Sequence, residues 1–183
     1  MRRSFENSGL YLRDHIRGCL IGGAAGDALG YPVEFMSERE IFQKYGSRGI
    51  TSYRSDRSRK ALISDDTQMT LFTANGLLHE TAKGYHDPEH GYEEDEILHA
   101  YQSWYITQNP NHTIEEKMAY AKNHNTRFWI MNVPELYHRR APGNTCLTAL
   151  RTGHPVKHSK GCGGIMRVAP ISLYDGGMIH KIF

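Results

Sequence analysis

Asp65 and Asp66 stand side by side after Ser64, where a polar stretch gives way to an apolar run beginning at Met69. Two carboxylates and a hydroxyl at a helix start are the oxygen ligands that a hard cation such as Mg²⁺ takes. The same pair also suits plain capping, because Asp is favoured at an N-cap and in the first turn by free N–H groups and the helix dipole. Within a regular helix, adjacent side chains point about 100° apart. The first residue of a helix is not yet helical, so both carboxylates can turn toward one ion. Upstream, Glu34 follows Pro32-Val33, where a surface carboxylate beside a turn is the plain reading. Downstream, Gly161-Cys162-Gly163-Gly164 leads into Ile165-Met166-Arg167. Such a loop either turns tightly or offers backbone N–H groups to an anion. It lacks the Gly-Lys-Ser/Thr end of a phosphate-binding P-loop.

The elements that must position these groups read as helices. Residues 13–30 form one helix, with Gly18, Gly22, Gly26 and Gly30 sharing roughly one face. Each glycine costs about 1 kcal/mol against alanine in a helix, so the stripe implies close packing of another helix, with ligand contact as the alternative. Arg17 and Asp27 interrupt it and rule out a membrane-helix stripe. Asp27 reads as structural, capping a neighbouring segment. Ser37 with Glu40, and Thr113 with Glu116, have capping-box spacing. Residues 46–62 are a polar loop whose run Arg54, Arg57, Arg59, Lys60 is a solvated face, or steers phosphate.

Residues 65–82 suit a helix with one buried face, apolar at Met69, Phe72, Ala74, Leu77 and Leu78. Further helices are expected over 94–106, 113–124 and from Pro134 to Arg139. Another is expected over 145–152, with Asn144 as its cap and Gly153 as its stop. No long alternation of strand type occurs. His86 and His90 flank Pro88, which breaks the helix that ligation by an HxxxH pair needs. A polar loop is therefore the reading there.

The bulk figures bound the class. At 183 residues and 39% hydrophobic content, one domain with a real core is expected. A net charge of +2 gives no field of the kind that marks a nucleic-acid binder. The longest apolar run, Cys19 to Ala25, is far too short to span a membrane. Cys19, Cys146 and Cys162 have neither the number nor the spacing of a disulfide framework or zinc ribbon. With no secretory signal at the start, a cytoplasmic setting is expected. Cys162 reads as a small buried filler, not a nucleophile.

Four segments occur in an order that carries more than any one of them: Gly26–Phe35, Ser64–Thr70, Ala141–Gly153 and Ser159–Leu173. Together they resemble the ADP-ribosylglycohydrolase family, which includes the glycohydrolase that reactivates dinitrogenase reductase. The resemblance implies an all-α, orthogonal multi-helix bundle as a single domain over 1–183. It implies hydrolysis of the bond between ADP-ribose and a protein side chain or small acceptor. Ser64, Asp65 and Asp66 take the place of metal ligands in a site for two Mg²⁺ ions, with Mn²⁺ in some members. Glu34 is the carboxylate that positions or deprotonates water. Ser159, Gly161, Gly163 and Gly164 line the ADP-ribose pocket. The family's second ligand cluster, an Asp-x-Asp-Thr element, has no counterpart after Asp66. The resemblance therefore implies a chain incomplete at its C-terminus, with impaired hydrolysis. Two other classes remain open: an ADP-ribose-binding module without turnover, and a structural protein like the family's lens crystallins.

Overall fold

A computed structural model describes residues 2–55, 59–82, 94–124, 126 and 128–175. The His86–His90 segment and the last eight residues lie outside that set. Among the described residues the fold is all-α. The helices are α1 (Arg2–Gly30), α2 (Glu38–Tyr45), α3 (Asp65–Ala82), α4 (Glu94–Thr107), α5 (Ile114–Asn123), α6 (Asn144–Thr152) and α7 (Ala169–Asp175). Short 3-10 turns cover Tyr31–Val33, Trp129–Asn132 and Pro134–Tyr137. A lone bridge between Ser55 and Ala61 is the nearest approach to a strand. No described helix is long and apolar enough to cross a membrane.

Both capping boxes form. Ser37 accepts from the Glu40 N–H while Glu40 takes the Ser37 N–H, at 2.7 Å. Thr113 and Glu116 do the same at the start of α5. Gly153 ends α6 at φ 70, donating its N–H to Ala149 O, a left-handed position that glycine takes without strain. Asn144 is not the cap of that helix. Gly143 holds the cap position and Asn144 is the first helical residue.

α3 departs from the one-faced helix expected of it. It is the central element and is buried on several sides, with Thr67, Gln68, Thr73, Asn75 and Glu80 inside beside Met69, Phe72 and Leu77. Internal bonds hold Gln68 and Thr73 at its core. Gln68 accepts from Trp104 Nε1 at 3.0 Å and Gln108 Nε2 at 3.1 Å, and donates to His138 O at 2.8 Å. Thr73 Oγ1 bonds Met69 O and meets the Tyr101 hydroxyl at 2.7 Å. Gln68 thus fixes the N-terminal turn of α3 against α4 and the 138–140 segment, one turn from the adjacent aspartates. Met69, Phe72, Trp104, Phe128, Leu136 and Tyr137 build the surrounding core.

Among the described residues, nothing packs on the glycine stripe of α1. A β-carbon at Gly18, Gly22, Gly26 or Gly30 meets no described atom within 4 Å. The close approach is elsewhere, at Gly76 of α3, whose β-carbon would lie 2.9 Å from Ile97 Cα and 3.0 Å from Glu96 O. This reverses the expectation that the repeated glycines mark the helix contact. Periodicity reports a face, and a single unremarked glycine marks the actual crossing. Gly22→Ala is accordingly expected to stabilise the chain by about 1 kcal/mol through helix propensity alone. A lower melting midpoint for that variant would show that some other surface sits on the stripe.

Candidate active site

The N-terminus of α3 is clamped from three directions. From α1, Asp27 Oδ2 accepts from Ser64 N at 2.8 Å, Thr67 Oγ1 at 2.5 Å and Thr67 N at 3.3 Å. Asp27 is therefore the structural cap that its position suggested. From the 140–143 segment, Arg140 O accepts the Asp65 N–H at 3.0 Å, and Gly143 N donates to Asp65 Oδ2 at 3.1 Å. Within the turn, Ser64 Oγ accepts the Asp66 N–H at 3.2 Å. Asp65 is 4% exposed, so half its carboxylate is committed to Gly143 and the rest faces like charge.

That like charge is visible in the protonation of the cluster. Burial, and then the charges of Asp66 and Glu34, push Asp65 up to about 6, against the lowering effect of the Gly143 N–H. Asp66 is raised by burial and by Asp27. Glu34, just beyond the 3-10 turn that follows α1, is raised by desolvation, Asp66 and Asp27. Tyr31 is raised chiefly by burial, with Arg140 opposing and Glu34, Asp27 and Asp65 reinforcing. The fold therefore brings Glu34, Asp65 and Asp66 into one electrostatic cluster. It adds Tyr31 and Arg140, which the sequence reading passed over although Tyr31 lies inside the Gly26–Phe35 segment.

These oxygens fit a hard cation in kind. Ser64, Asp65 and Asp66 offer hydroxyl and carboxylate donors, and their mutual repulsion is what a divalent ion offsets. Among the described residues, however, no group of three or more His, Cys, Asp and Glu side chains could hold a metal ion. The donors present make one side of a site.

The metal-free form carries a checkable signature. Asp65 binds its proton more tightly in the folded chain than its ordinary 3.8. The folded state is therefore favoured below pH 3.8, and that advantage is lost as pH rises through about 6. In chelator, wild type should weaken relative to Asp65→Asn across this window, by on the order of 3 kcal/mol at most. Urea unfolding of both at successive pH values reads the difference. A pH-independent gap would remove Asp65 from the cluster.

The glycine loop sits against the same helix. Thr70 Oγ1 lies 2.8 Å from Asp66 O and 2.9 Å from Met166 O, its one proton shared between them, so one hydroxyl spans the acidic turn and the loop. Ser159 Oγ accepts the Gly161 N–H at 3.1 Å and pairs with Thr145 Oγ1 of α6 at 2.9 Å. Arg167 donates through Nε to Gly163 O and through Nη2 to Cys146 Sγ at 3.1 Å, with its guanidinium 4.8 Å from the Tyr101 ring centre. A β-carbon at Gly163 would lie 2.8 Å from Cys146 Sγ and 3.3 Å from Arg167 Nη2, so a side chain there forces both to shift. The N–H groups of Cys162, Gly163 and Gly164 have no acceptor among the described residues. Cys162 is exposed and is not the buried filler expected; Cys146 is the buried thiol. Nothing in the spacing distinguished the two.

A family model described as ADP-ribosylglycohydrolase matches residues 9–181. The ADP-ribosyl-dinitrogen reductase glycohydrolase of Rhodospirillum rubrum is 41% identical over 78 residues, covering 42% of this chain and 26% of that protein. An uncharacterized protein of Archaeoglobus fulgidus is 29% identical over 163 residues, covering 88% of this chain and 43% of that protein. The chain thus spans less than half the length of the curated relatives it matches. No solved structure matches it significantly.

Proposed function

The chain belongs to the ADP-ribosylglycohydrolase family, and from that premise we propose that it hydrolyses the bond joining ADP-ribose to a protein side chain or small acceptor. The observation that carries the proposal is the Thr70 bridge, which joins the acidic turn to a glycine loop whose Cys162, Gly163 and Gly164 N–H groups meet no acceptor among the described residues. Anion-binding donors and proton-accepting carboxylates then belong to one site.

The diphosphate of ADP-ribose lies against the Cys162–Gly164 N–H groups, a backbone nest suited to an anion. Ser159 braces that loop on α6. Ser64, Asp65 and Asp66 are the residues that would hold Mg²⁺. When bound, the ion supplies Lewis-acid charge and lowers the pKa of water. Glu34 takes a proton from the water whose oxygen bonds the anomeric carbon as the bond to the acceptor breaks, and that proton is returned to the departing acceptor atom, which leaves protonated. Desolvation, Asp66 and Asp27 raise its pKa, which makes it a stronger base than a free carboxylate. Asp27 and Gly143 act through Asp65 and Ser64 by fixing their positions.

A second reading, ADP-ribose binding without turnover, is favoured by the lack of a three-ligand metal group among the described residues. Incubating the full chain with ADP-ribosylated peptide separates the two. Release of ADP-ribose that stops in chelator is the result expected of the hydrolase. Saturable binding with no release transfers the site to the module reading, and absence of both overturns each. Gly163→Val should weaken ADP-ribose binding at least tenfold, about 1.4 kcal/mol, because its side chain displaces Cys146 and Arg167. Equal affinity in a folded variant would reduce the loop to a turn.

A further inference from the structure

On the far side of α6 lies a cleft of about 1000 Å³ between the end of α4, α5 and α6. That volume is at the upper end of small-molecule sites, ~300–1,000 Å³. Thr145 and Cys146 of α6 face the glycine loop, whereas Asn144, Leu147, Thr148 and Arg151 line the cleft. The two sites therefore use opposite faces of one helix.

The cleft is cationic. Arg139 and Arg151 line it, and neither has a carboxylate partner among the described residues. Arg139 gives one bond to Gln108 O at 2.8 Å, which fixes the guanidinium and leaves further N–H groups to spare. Lys117 is 6% exposed, and among the described residues its ammonium donates to two carbonyl oxygens, Thr107 O at 2.8 Å and Tyr137 O at 2.7 Å. Burial, and then the Arg139 charge, lower the Lys117 pKa, which is the mark of cations gathered without an anion. The one carboxylate on the lining, Glu116, is engaged by the Thr113 N–H at 2.8 Å and by His112.

The cleft also has a flat apolar surface. Tyr105 and Tyr120 line it. Tyr120 is 50% exposed, and its ring is stacked on His124 with centres 3.8 Å apart. That stacking holds the ring as a platform before any ligand arrives. Guanidinium forks match phosphate oxygens in pairs, and aromatic faces accept a planar ring by stacking.

We propose that this cleft is a second ligand site, taking a ring-bearing phosphate monoester of mononucleotide size. The phosphate sits between Arg139 and Arg151, and the ring lies on Tyr120.

AMP is the probe, titrated calorimetrically into the full chain with ADP-ribose already at saturating concentration, so that the glycine-loop site does not contribute. AMP should still bind, at least tenfold tighter than adenosine. Arg151→Glu, on an exposed side chain, should weaken AMP at least tenfold and leave ADP-ribose affinity unchanged. Tyr120→Ala should weaken AMP while leaving inorganic phosphate unaffected. The proposal is overturned if AMP fails to bind at millimolar concentration, binds no better than adenosine, or binds Arg151→Glu as it binds wild type. If ADP-ribose itself does not bind, the AMP titration and the Arg151→Glu comparison still read the cleft alone.

Discussion

Asp65→Asn combined with Asp66→Asn is expected to abolish the Mg²⁺-dependent rise in melting temperature and to cut any ADP-ribosyl hydrolysis roughly a hundredfold or more. The two carboxylates are the charged donors at the start of α3, and asparagine offers only a neutral carbonyl to a hard cation. The fold should survive the change. An asparagine carbonyl at position 65 can still accept from Gly143 N, and the backbone bond from Asp65 N to Arg140 O does not depend on the side chain. In chelator at neutral pH the double variant should melt above wild type, because burial and mutual repulsion oppose ionisation at both positions. A Mg²⁺ response equal to wild type, in a variant so stabilised, would mean that other oxygens hold the ion. Reading both quantities in one thermal series separates loss of the ligands from loss of the fold.

Gly76→Ala is expected to lower stability by about 2 kcal/mol net, a fall of roughly 4–8 °C in melting midpoint. The added carbon would stand 2.9 Å from Ile97 Cα and 3.2 Å from Ile97 N, and those backbone atoms cannot rotate away. Overpacking costs about 1–3 kcal/mol and more where backbone must shift, while helix propensity returns about 1 kcal/mol. Separation of α3 from α4 also strains the Trp104–Gln68 bond, so the acidic turn should loosen with it. Gly22→Ala is the matched control, with the same chemistry in open space. Equal midpoints for the two variants would contradict the α3–α4 crossing described above.

What the sequence made legible follows from how local each signal is. Capping boxes at Ser37 and Thr113 and the stop at Gly153 involve partners three or four residues apart, and all three form as read. The start of α3 at Asp65 was legible for the same reason. Asp27 read as a cap from its type and place alone, and the segment it caps, 37 residues on, carried no local signal. The burial of Gln68 was not legible. A polar residue in a helix reads as a solvated one unless its partners are known, and these lie on α4 and at His138. Arg140 and Gly143 were missed at the carboxylates because their contacts run through backbone atoms, which carry no residue-type signature. The resemblance located Glu34, Asp65 and Asp66, and composition alone would have left them as surface and capping residues.

The acidic turn is stitched together by bonds that leap along the chain. Ser64 to Asp27 spans 37 residues, Gln68 to His138 spans 70, Asp65 to Gly143 spans 78 and Thr70 to Met166 spans 96. Contacts of such separation form only after several loops have closed, at an entropic cost that no local helix repays. The site therefore has no folded existence apart from the rest of the bundle, and it should assemble late and dissolve together with the core. Any ligand that reaches it will register as protection of the whole molecule, with slowed amide exchange deep in α3 and not merely at the loop tips.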